Sequence, residues 1–422
     1  MKQKTQVVNK VVIDLENMRS EILNGKKKLK NKFEYKRAFS LMDQRIEKKL
    51  TLVKKLLDLG ESVIPEIEFD LITKKLVSNT IKEKIKDSGC VVIRNVFSAE
   101  MVDRWNLDLL NYVQENNYFE KQKAKSGMDK YFSNLTDSKP QIFGLYWSKP
   151  QMQARTSSEM AVVRSWLNRL WTYVGEAGQE FDPDLECLYA DRLRQREPGD
   201  NTLGLSPHVD GGSVERWLDT GYQNVYRHIF RGNIDAYDPF DASWRTTSQE
   251  IPSPAVCSMF RTYQGWTALT KQGAGDGTLN IVPISDVMGW LLLRALQDDI
   301  KGDDLCGAQP GRAMTISEEF HKKLLDVYIP IPFVYPGDTV WWHPDIIHGV
   351  ENENKSTGYS NVMYIGAAPD CEKNRKFLAG QKKAFEEGRS SPDFAAEDYE
   401  TDFRDRFLPE ELSQLGKRQM GY

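Results

Sequence analysis

Two histidines and one aspartate have the residue types and the spacing of a metal site. His208 and Asp210 lie two positions apart, and His348 follows far downstream, after the turn residues Pro336-Gly-Asp338. Alternate residues of a strand point to the same face, so the first two side chains can reach one ion while the third comes from a neighbouring strand. Two imidazoles and one carboxylate form the facial triad of non-haem Fe(II) oxygenases, which leaves coordination positions open for a co-substrate and O2.

Other histidines compete for the third position. His343 begins the tripeptide His343-Pro-Asp345, which repeats the His-x-Asp pattern, so the spacing alone leaves His343 and His348 open as the distal ligand. His228 lies in a charged segment and His321 in a helix-like segment, and we expect both at the surface.

Composition excludes several classes of protein. The chain has 422 residues and a net charge of −4, which argues against general nucleic-acid binding. It has no apolar run long enough to span a membrane and no apolar segment typical of a secretory signal near its start. Its five cysteines are scattered without a C-x-x-C pair, which favours reduced thiols and a cytoplasmic location.

The distribution of turns and apolar residues predicts a mainly β fold with helical flanks. Residues 1–87 predict a helical N-terminal extension, and its first sixty residues are basic. This part either packs on the body as a solvated helix, the preferred interpretation, or binds an acidic partner. A short β-rich run at 89–97 is followed by Ser98, a predicted N-cap for a helix with Met101, Trp105 and Leu109 on one face.

From about residue 186 the chain consists of many short strands separated by Gly and Pro turns. This pattern predicts a double-stranded β-helix (a jelly roll, cupin-like) over residues 88–368. Residues 369–422 predict a helical C-terminal tail that packs on this body. Residues 211–255 form an insertion rich in aromatic residues and arginine, and we favour a lid over the metal, with a packed insertion or dimer contact as the alternative.

Several segments resemble the phytanoyl-CoA dioxygenase-like branch of the Fe(II)/2-oxoglutarate oxygenases. The similar segments are the strand-then-helix start at 89–100, Gln264-Gly-Trp-Thr-Ala-Leu269 with 277–283, the Pro336-Gly-Asp338 turn, and His348-Gly349. This resemblance covers roughly residues 88–368. More closely, the chain resembles the YbiU-like proteins of bacteria and fungi, a family of unknown function, at 213–218, 237–241 and 418–421.

The resemblance implies Fe(II) as the metal, 2-oxoglutarate as the co-substrate, and His208, Asp210 and His348 as both metal-binding and catalytic residues. In the related branch the distal ligand ends a strand and is followed by glycine, which favours His348 over His343. The branch usually has an arginine downstream of that histidine to bind the C5 carboxylate of 2-oxoglutarate. Residues 358–363 contain no arginine, although Ser360 could donate one hydrogen bond.

Another cation must then pair with the buried carboxylate of the co-substrate. Arg192 and Arg194 are the first candidates, because they share one face of the strand that precedes the His-x-Asp pair. Arg261, on the strand that leads to Trp266, is the other candidate. With Trp266 and Ser360, these arginines make up the predicted co-substrate site.

The function that fits these residues is hydroxylation or another oxidation of a small polar or anionic metabolite by an Fe(II)/2-oxoglutarate-dependent oxygenase. Two alternatives remain, a non-oxygenase metal enzyme and a carboxylate-binding protein on the same fold. We expect neither nucleic acid nor a membrane as a partner, and the sequence does not determine the oligomeric state.

Overall fold

The computed structural model consists of two β-sheets that face each other and of helices that surround them. It describes residues 6–8, 11–13, 15–124, 141–175, 178–201, 205–210, 212–248, 257–310 and 312–422. The α-helices are Leu15–Lys32, Tyr35–Asp58, Phe69–Thr73, Asn79–Ser88, Ala99–Glu115, Tyr118–Ala124, Lys149–Arg155, Ser158–Asn168, Glu215–Leu218, Thr220–Val225, Val287–Arg294, Glu318–Leu325, Glu372–Glu387 and Gln414–Gln419. Shorter 3-10 helices are Ile229–Arg231, Ile234–Ala236, Tyr399–Asp402 and Pro409–Glu411.

The larger sheet, called the major sheet below, has seven strands. In spatial order they are Glu66–Glu68, Cys90–Arg94, Thr339–Trp342, Tyr263–Ala268, Ser360–Ala367, Leu193–Arg196 and Ile142–Phe143. The first two are parallel and all other neighbours are antiparallel. At the centre of the sheet, Trp266 lies opposite Val340 on one side and Tyr364 on the other.

The smaller sheet, called the minor sheet below, has five antiparallel strands. In spatial order they are Met314–Thr315, His208–Val209, His348–Val350, Leu279–Ile281 and Ile329–Pro330. Three further pairs of strands are Gln6–Val8 with Val11–Ile13, Val174–Gly175 with Gly178–Gln179, and Asp182–Glu186 with Pro369–Asp370.

The two sheets share one apolar core. Leu279 and Ile281 of the minor sheet are buried in the same cluster as Val92, Trp266 and Val340 of the major sheet. Because alternate residues of a strand face opposite sides, the other side of each sheet is free to pack against helices. The fold therefore has two facing sheets inside a helical cover.

The helical cover begins with the first long helices. The helix Tyr35–Asp58 buries Met42, Ile46 and Leu50 in a core that also contains the helix Val287–Arg294. At the other end of the chain, Glu400 accepts hydrogen bonds from the backbone N–H groups of Tyr146 (2.5 Å) and Trp147 (3.0 Å), and this fastens the C-terminal segment to the body. Burial raises the pKa of Glu400 to about 7, against the opposing effect of these hydrogen bonds.

Several expectations from the sequence need correction. More described residues are helical than extended, so the chain is a mixed fold of helix and sheet and the expected mainly β character is wrong. The strand Glu66–Glu68 joins the major sheet from within the segment expected to be a helical extension. A three-residue strand has too little alternation of polar and apolar residues to be recognised locally, and its pairing depends on Cys90–Arg94.

Two side chains also lie elsewhere than predicted. Ser98 does cap the helix Ala99–Glu115, and its side chain accepts a hydrogen bond from the Met101 N–H, but the Met101 side chain is exposed while Trp105 is buried. His321, expected at the surface, is buried against Trp290, because the buried face of its helix includes it.

Two broad properties of the chain are visible in the structure. All five cysteines have free thiols. Across the described ranges, no helix is both long enough and apolar enough to cross a lipid bilayer.

A buried carboxylate ties the insertion to the turn that connects the two sheets. Asp345 follows the strand Thr339–Trp342, and its two oxygens accept hydrogen bonds from Arg216 (3.0 Å) and Arg245 (2.8 Å). Tyr226 donates to the same carboxylate at 3.0 Å. The flanking guanidiniums outweigh burial and hold the pKa of Asp345 below its usual range. Since these side chains are all buried, each charge depends on the others.

We expect Asp345→Ala to destabilise the protein strongly, because it leaves two guanidinium groups buried without their carboxylate. Breaking a buried ion pair from one side costs about 3–5 kcal/mol. The free energy of unfolding, measured by urea denaturation, would test this, with Asp70→Asn as the control. Asp70 is exposed in an i,i+4 pair with Lys74, and its loss should cost about 0.5 kcal/mol. A loss below about 1 kcal/mol for Asp345→Ala would contradict this account of the cluster.

Candidate metal centre

The minor sheet places two histidines side by side. His208 and His348 are direct partners in the antiparallel register of neighbouring strands, and their ring centroids are 4.4 Å apart. Both side chains are buried. Directly opposite residues of an antiparallel pair point to the same face, so the register alone brings the two imidazoles together.

Asp210 completes a cluster of three candidate ligands. It lies two residues beyond His208, and its Oδ1 is 3.3 Å from the His208 Nε2 while its Oδ2 is 3.5 Å from the His348 Nε2. One candidate ligand atom from each residue can be chosen so that all three lie within 4.8 Å of one another. In the described ranges, this is the one group of three or more such side chains with metal-site spacing.

The backbone selects the nitrogen that each imidazole offers. The His208 Nδ1 is 2.6 Å from the carbonyl oxygen of Ser206, and the His348 Nδ1 is 3.2 Å from that of Ile346. A carbonyl accepts only, so each Nδ1 carries a proton, and each Nε2 is the nitrogen that faces Asp210 and would bind a metal ion after losing any proton it holds. This arrangement is the usual way in which a protein orients metal-binding histidines.

The electrostatics of the cluster suit a divalent cation. Burial raises the pKa of Asp210, but the hydrogen bonds of His208 and His348 outweigh it and hold that pKa well below the usual value. Burial lowers the pKa of His208, but the hydrogen bond and charge of Asp210 outweigh burial, so this pKa is raised. Burial and the charge of His208 lower the pKa of His348. The donor set is therefore one carboxylate and two imidazoles, which fits Fe(II) or a similar ion.

Gln264 is a further residue of the site that the sequence analysis missed. Its Nε2 donates to the Asp210 Oδ2 at 3.0 Å, and its Oε1 accepts a hydrogen bond from the Trp342 indole at 2.7 Å. Gln264 thereby connects the major sheet to the carboxylate and fixes the orientation of Asp210. Its position two residues before Trp266, on the same strand face, was a signal that could have identified it.

His343 has a different role from His348. Its Nδ1 accepts a hydrogen bond from the Asp345 N–H at 3.0 Å, and its Nε2 donates to the carbonyl oxygen of Pro239 at 3.0 Å. Its ring stacks on Trp171, with centroids 4.8 Å apart, and burial lowers its pKa to about 3. Both nitrogens are engaged away from Asp210, so the geometry favours His348 as the distal ligand.

A cavity between the two sheets opens onto the candidate ligands. His208, Asp210 and His348 line it together with Arg192, Arg194, Arg261 and Trp266. It encloses about 750 Å³ including its mouth. Of the predicted co-substrate residues, Ser360 is placed behind this wall and is in contact with Arg194.

The three arginines of this cavity differ in their surroundings. Arg194 is buried and donates hydrogen bonds to the Gly277 carbonyl at 2.7 Å and to the Ser360 hydroxyl at 3.1 Å. Arg192 is half-buried over the ring of Phe394. Arg261 is buried at the other end, where its guanidinium carbon is 4.8 Å from the centre of the Tyr189 ring.

The described part of the insertion does not cover this cavity. In residues 212–248, Trp217, Tyr226 and Phe240 are buried in the protein core, and no residue of this range lines the cavity. These residues correspond to the packed insertion, the alternative to the lid. Residues 211 and 249–255 of the predicted insertion lie outside the described residues.

Comparison with known proteins identifies the family. The Gig2-like family model matches residues 16–422. The chain belongs to the Gig2-like family. It is 42% identical over 385 residues to the uncharacterized protein YbiU of Escherichia coli K12, and the aligned region covers 91% of each chain.

Solved structures of relatives have the same fold over nearly the whole chain. A crystal structure from Salmonella typhimurium LT2, provisionally described as an oxidoreductase, is 39% identical, covers 99% of both chains and has a TM-score of 0.92. GlcNAc Inducible Gene 2 from Candida albicans is 27% identical, covers 97% of this chain and 89% of its own, and has a TM-score of 0.78. The closer resemblance drawn from the sequence, to YbiU-like proteins, is therefore confirmed.

We expect His348→Ala to abolish stoichiometric Fe(II) binding, because it removes one of three ligands. His343→Ala is the matched control, since its imidazole lies in the core and not in the cluster. Metal content after anaerobic loading, measured alongside the melting temperature, would separate loss of a ligand from loss of folding. Retention of iron by His348→Ala, with loss in a folded His343→Ala, would reverse the assignment of the distal ligand.

Removal of the Gln264 side chain tests the support of Asp210. We expect Gln264→Ala to weaken Fe(II) binding by roughly 10–100-fold, the usual effect of deleting a group that orients a metal ligand. A competitive titration with a chelator of known affinity would measure it. Gln297→Ala is the control, because Gln297 donates only to the Leu293 carbonyl of its own helix segment. An unchanged affinity in Gln264→Ala would show that Asp210 is oriented by other contacts.

Proposed function

We propose that this protein is an Fe(II)/2-oxoglutarate-dependent oxygenase that hydroxylates or otherwise oxidises a small polar metabolite. The observation that supports this most is a cavity that combines the cluster of His208, Asp210 and His348 with the buried Arg194. In the described residues, no carboxylate lies within ion-pair distance of the Arg194 guanidinium, and its Nε has no hydrogen-bond partner. A buried cation without a counter-ion is costly, and a bound carboxylate would offset that cost.

The two facing sheets are consistent with the jelly-roll fold, cupin-like, that the sequence predicts. The minor sheet carries His208 and His348, and residues of the major sheet, among them Gln264 and Arg194, line the same cavity. The provisional description of the Salmonella relative as an oxidoreductase agrees with an enzyme.

The residues of the cavity would divide the work of binding the metal and the co-substrate. His208, Asp210 and His348 would hold Fe(II), and Gln264 would keep the carboxylate of Asp210 in position. When bound, Fe(II) and 2-oxoglutarate together activate O2 for substrate oxidation and yield succinate and CO2.

Arg194 is our choice for the C5 carboxylate of 2-oxoglutarate. Burial lowers the pKa of Arg194, because it disfavours the charged guanidinium. A bound carboxylate would stabilise that charge. The Ser360 hydroxyl beside it holds the guanidinium at the start of the strand Ser360–Ala367, where the downstream arginine of the related branch is missing. The neighbouring Trp266 ring lines the cavity and would exclude water from this ion pair.

We expect the iron-loaded protein to form a metal-to-ligand charge-transfer band when 2-oxoglutarate is added without O2, and to release succinate when O2 is admitted. Arg194→Gln should weaken 2-oxoglutarate binding by about 2–5 kcal/mol, or roughly tens-fold to thousands-fold, and leave Fe(II) in place. Arg192→Gln is the matched comparison and should have a smaller effect, because its Nε is already 3.6 Å from Asp191. Titration of the band would measure both.

The absence of the band in the iron-loaded wild-type protein would remove the main support for an oxygenase. A non-oxygenase metal enzyme or a carboxylate-binding protein would then take its place. An Arg194→Gln variant that binds 2-oxoglutarate like the wild type would assign the carboxylate to another cation.

A further inference from the structure

Arg261 is a second buried cation at the end of the cavity away from Arg194. It precedes the central strand of the major sheet and is 6% exposed. Its stem crosses the sheet over Gly366, where a Cβ atom would lie 3.1 Å from the Arg261 Cδ. The missing side chain at Gly366 therefore makes room for the arginine.

No carboxylate of the described residues lies within ion-pair distance of the Arg261 guanidinium. Burial lowers the pKa of Arg261, but the charges of nearby groups, Asp210 and Asp191 among them, outweigh burial and raise it. Among the described residues it makes no hydrogen bond or ion pair, and its guanidinium carbon lies 4.8 Å from the centre of the Tyr189 ring.

Nearby carboxylates are engaged elsewhere. Asp210 belongs to the metal cluster, and Asp393 accepts hydrogen bonds from the Tyr189 hydroxyl (3.0 Å) and the Ser258 N–H (2.9 Å). A buried guanidinium that makes no direct hydrogen bond is costly, and an anion bound to it would offset that cost.

Tyr189 positions Arg261 for a ligand. The Tyr189 hydroxyl is held by Asp393, and the Arg261 guanidinium lies over the Tyr189 ring and lines the cavity. A planar fork of donors in a fixed position matches the two oxygens of a carboxylate or phosphate.

Arg194 and Arg261 approach the cavity from opposite ends of one strand of the major sheet. The Arg194 guanidinium is in contact with Ser360, whereas Arg261 passes over Gly366, six residues further along the same strand. At roughly 3.3 Å per residue, these positions are about 20 Å apart. Gln264 lies opposite Gly366 in the sheet and donates to Asp210, so the metal cluster is near the Arg261 end of this line.

Arg261 also borders a second cavity on its other side. That cavity shares Arg261 and Cys257 with the first, and its further lining includes Arg216, Arg245 and Lys373, with Asp345 as its single carboxylate. Four cationic side chains against one carboxylate give this space a positive potential, which attracts and retains anions.

We propose that Arg261 binds a carboxylate or phosphate group of the substrate, so that the substrate is a small anionic metabolite held between the metal cluster and the second cavity. The word substrate rests on the proposed oxygenase function, whereas the anion site itself does not. In this arrangement Arg194 would hold 2-oxoglutarate and Arg261 would hold the substrate.

Anion binding to the full-length protein tests this inference. Zn(II)-loaded protein saturated with 2-oxoglutarate would be titrated with malonate, inorganic phosphate and neutral malonamide by isothermal calorimetry. We expect at least one of the two anions to bind and malonamide not to bind. Arg261→Gln should weaken that anion by roughly tens-fold to thousands-fold and change 2-oxoglutarate affinity by less than about threefold. The tighter of malonate and phosphate then identifies the group that the site accepts.

Three further variants control for charge and folding. Arg194→Gln should show the reverse pattern, with weak 2-oxoglutarate binding and normal anion binding. Arg104→Gln, an exposed arginine paired with Glu100, removes the same charge and should change neither. Arg261→Lys keeps the charge but lacks the planar fork, and should recover part of the affinity if Arg261→Gln fails to fold.

The inference is overturned if wild-type protein binds neither anion better than malonamide, or if Arg261→Gln weakens 2-oxoglutarate instead. Repeating the titration on metal-free protein without 2-oxoglutarate separates the two proposals. Anion binding that depends on Arg261, in a protein whose iron form gives no charge-transfer band, would retain the anion site and reject the oxygenase. A normal band without anion binding would do the opposite.

Discussion

The buried carboxylate of Asp345 is the interaction on which the arrangement of the site depends. It neutralises Arg216 and Arg245, both of which come from the insertion, and it lies in the turn between a strand of the major sheet and the strand that carries His348. The same Arg216 donates to the backbone carbonyl of Asp210 at 2.9 Å. One ion cluster therefore holds both the turn before His348 and the backbone at Asp210, two of the three candidate ligands. Loss of any one partner would leave a buried charge without compensation, because water does not reach the cluster to replace it.

The geometry of the candidate metal centre depends on groups other than its three candidate ligands. The register of the minor sheet brings His208 opposite His348, but backbone carbonyls choose which nitrogen each ring presents. Gln264 then reaches across from the major sheet to hold Asp210. The two sheets thus cooperate, one providing the ligands and the other orienting the carboxylate. Their separation is fixed by the apolar core they share, so packing and chemistry are set by the same spacing.

Two buried arginines that have no ion-pair partner among the described residues give the cavity its chemical character. Most buried arginines described in this chain have a carboxylate or several carbonyls as partners, as Arg164 has Glu186. Among the described residues, no carboxylate forms an ion pair with Arg194 or Arg261. Both arginines line the cavity beside the candidate metal centre. Their positions at the two ends of one strand suit two different anions, one on each side of the metal. The protein would then use the cost of burying each charge to favour binding of an anionic ligand.

Local sequence patterns were enough to predict the types of the three candidate ligands and much of the local structure. The His-x-Asp spacing, the Ser98 cap and the Pro336-Gly-Asp338 turn depend on neighbours along the chain, and local rules of strand geometry and capping suffice to predict them. The glycine after His348 favoured it over His343 only through a family resemblance, and the tertiary structure adds the hydrogen bonds that place both nitrogens of His343 away from Asp210. The tertiary structure also decided the pairing of the strand Glu66–Glu68 and the burial of His321. It placed Arg194 and Arg261 in different surroundings. Each of these depends on contacts between residues far apart in the chain, which no local pattern encodes.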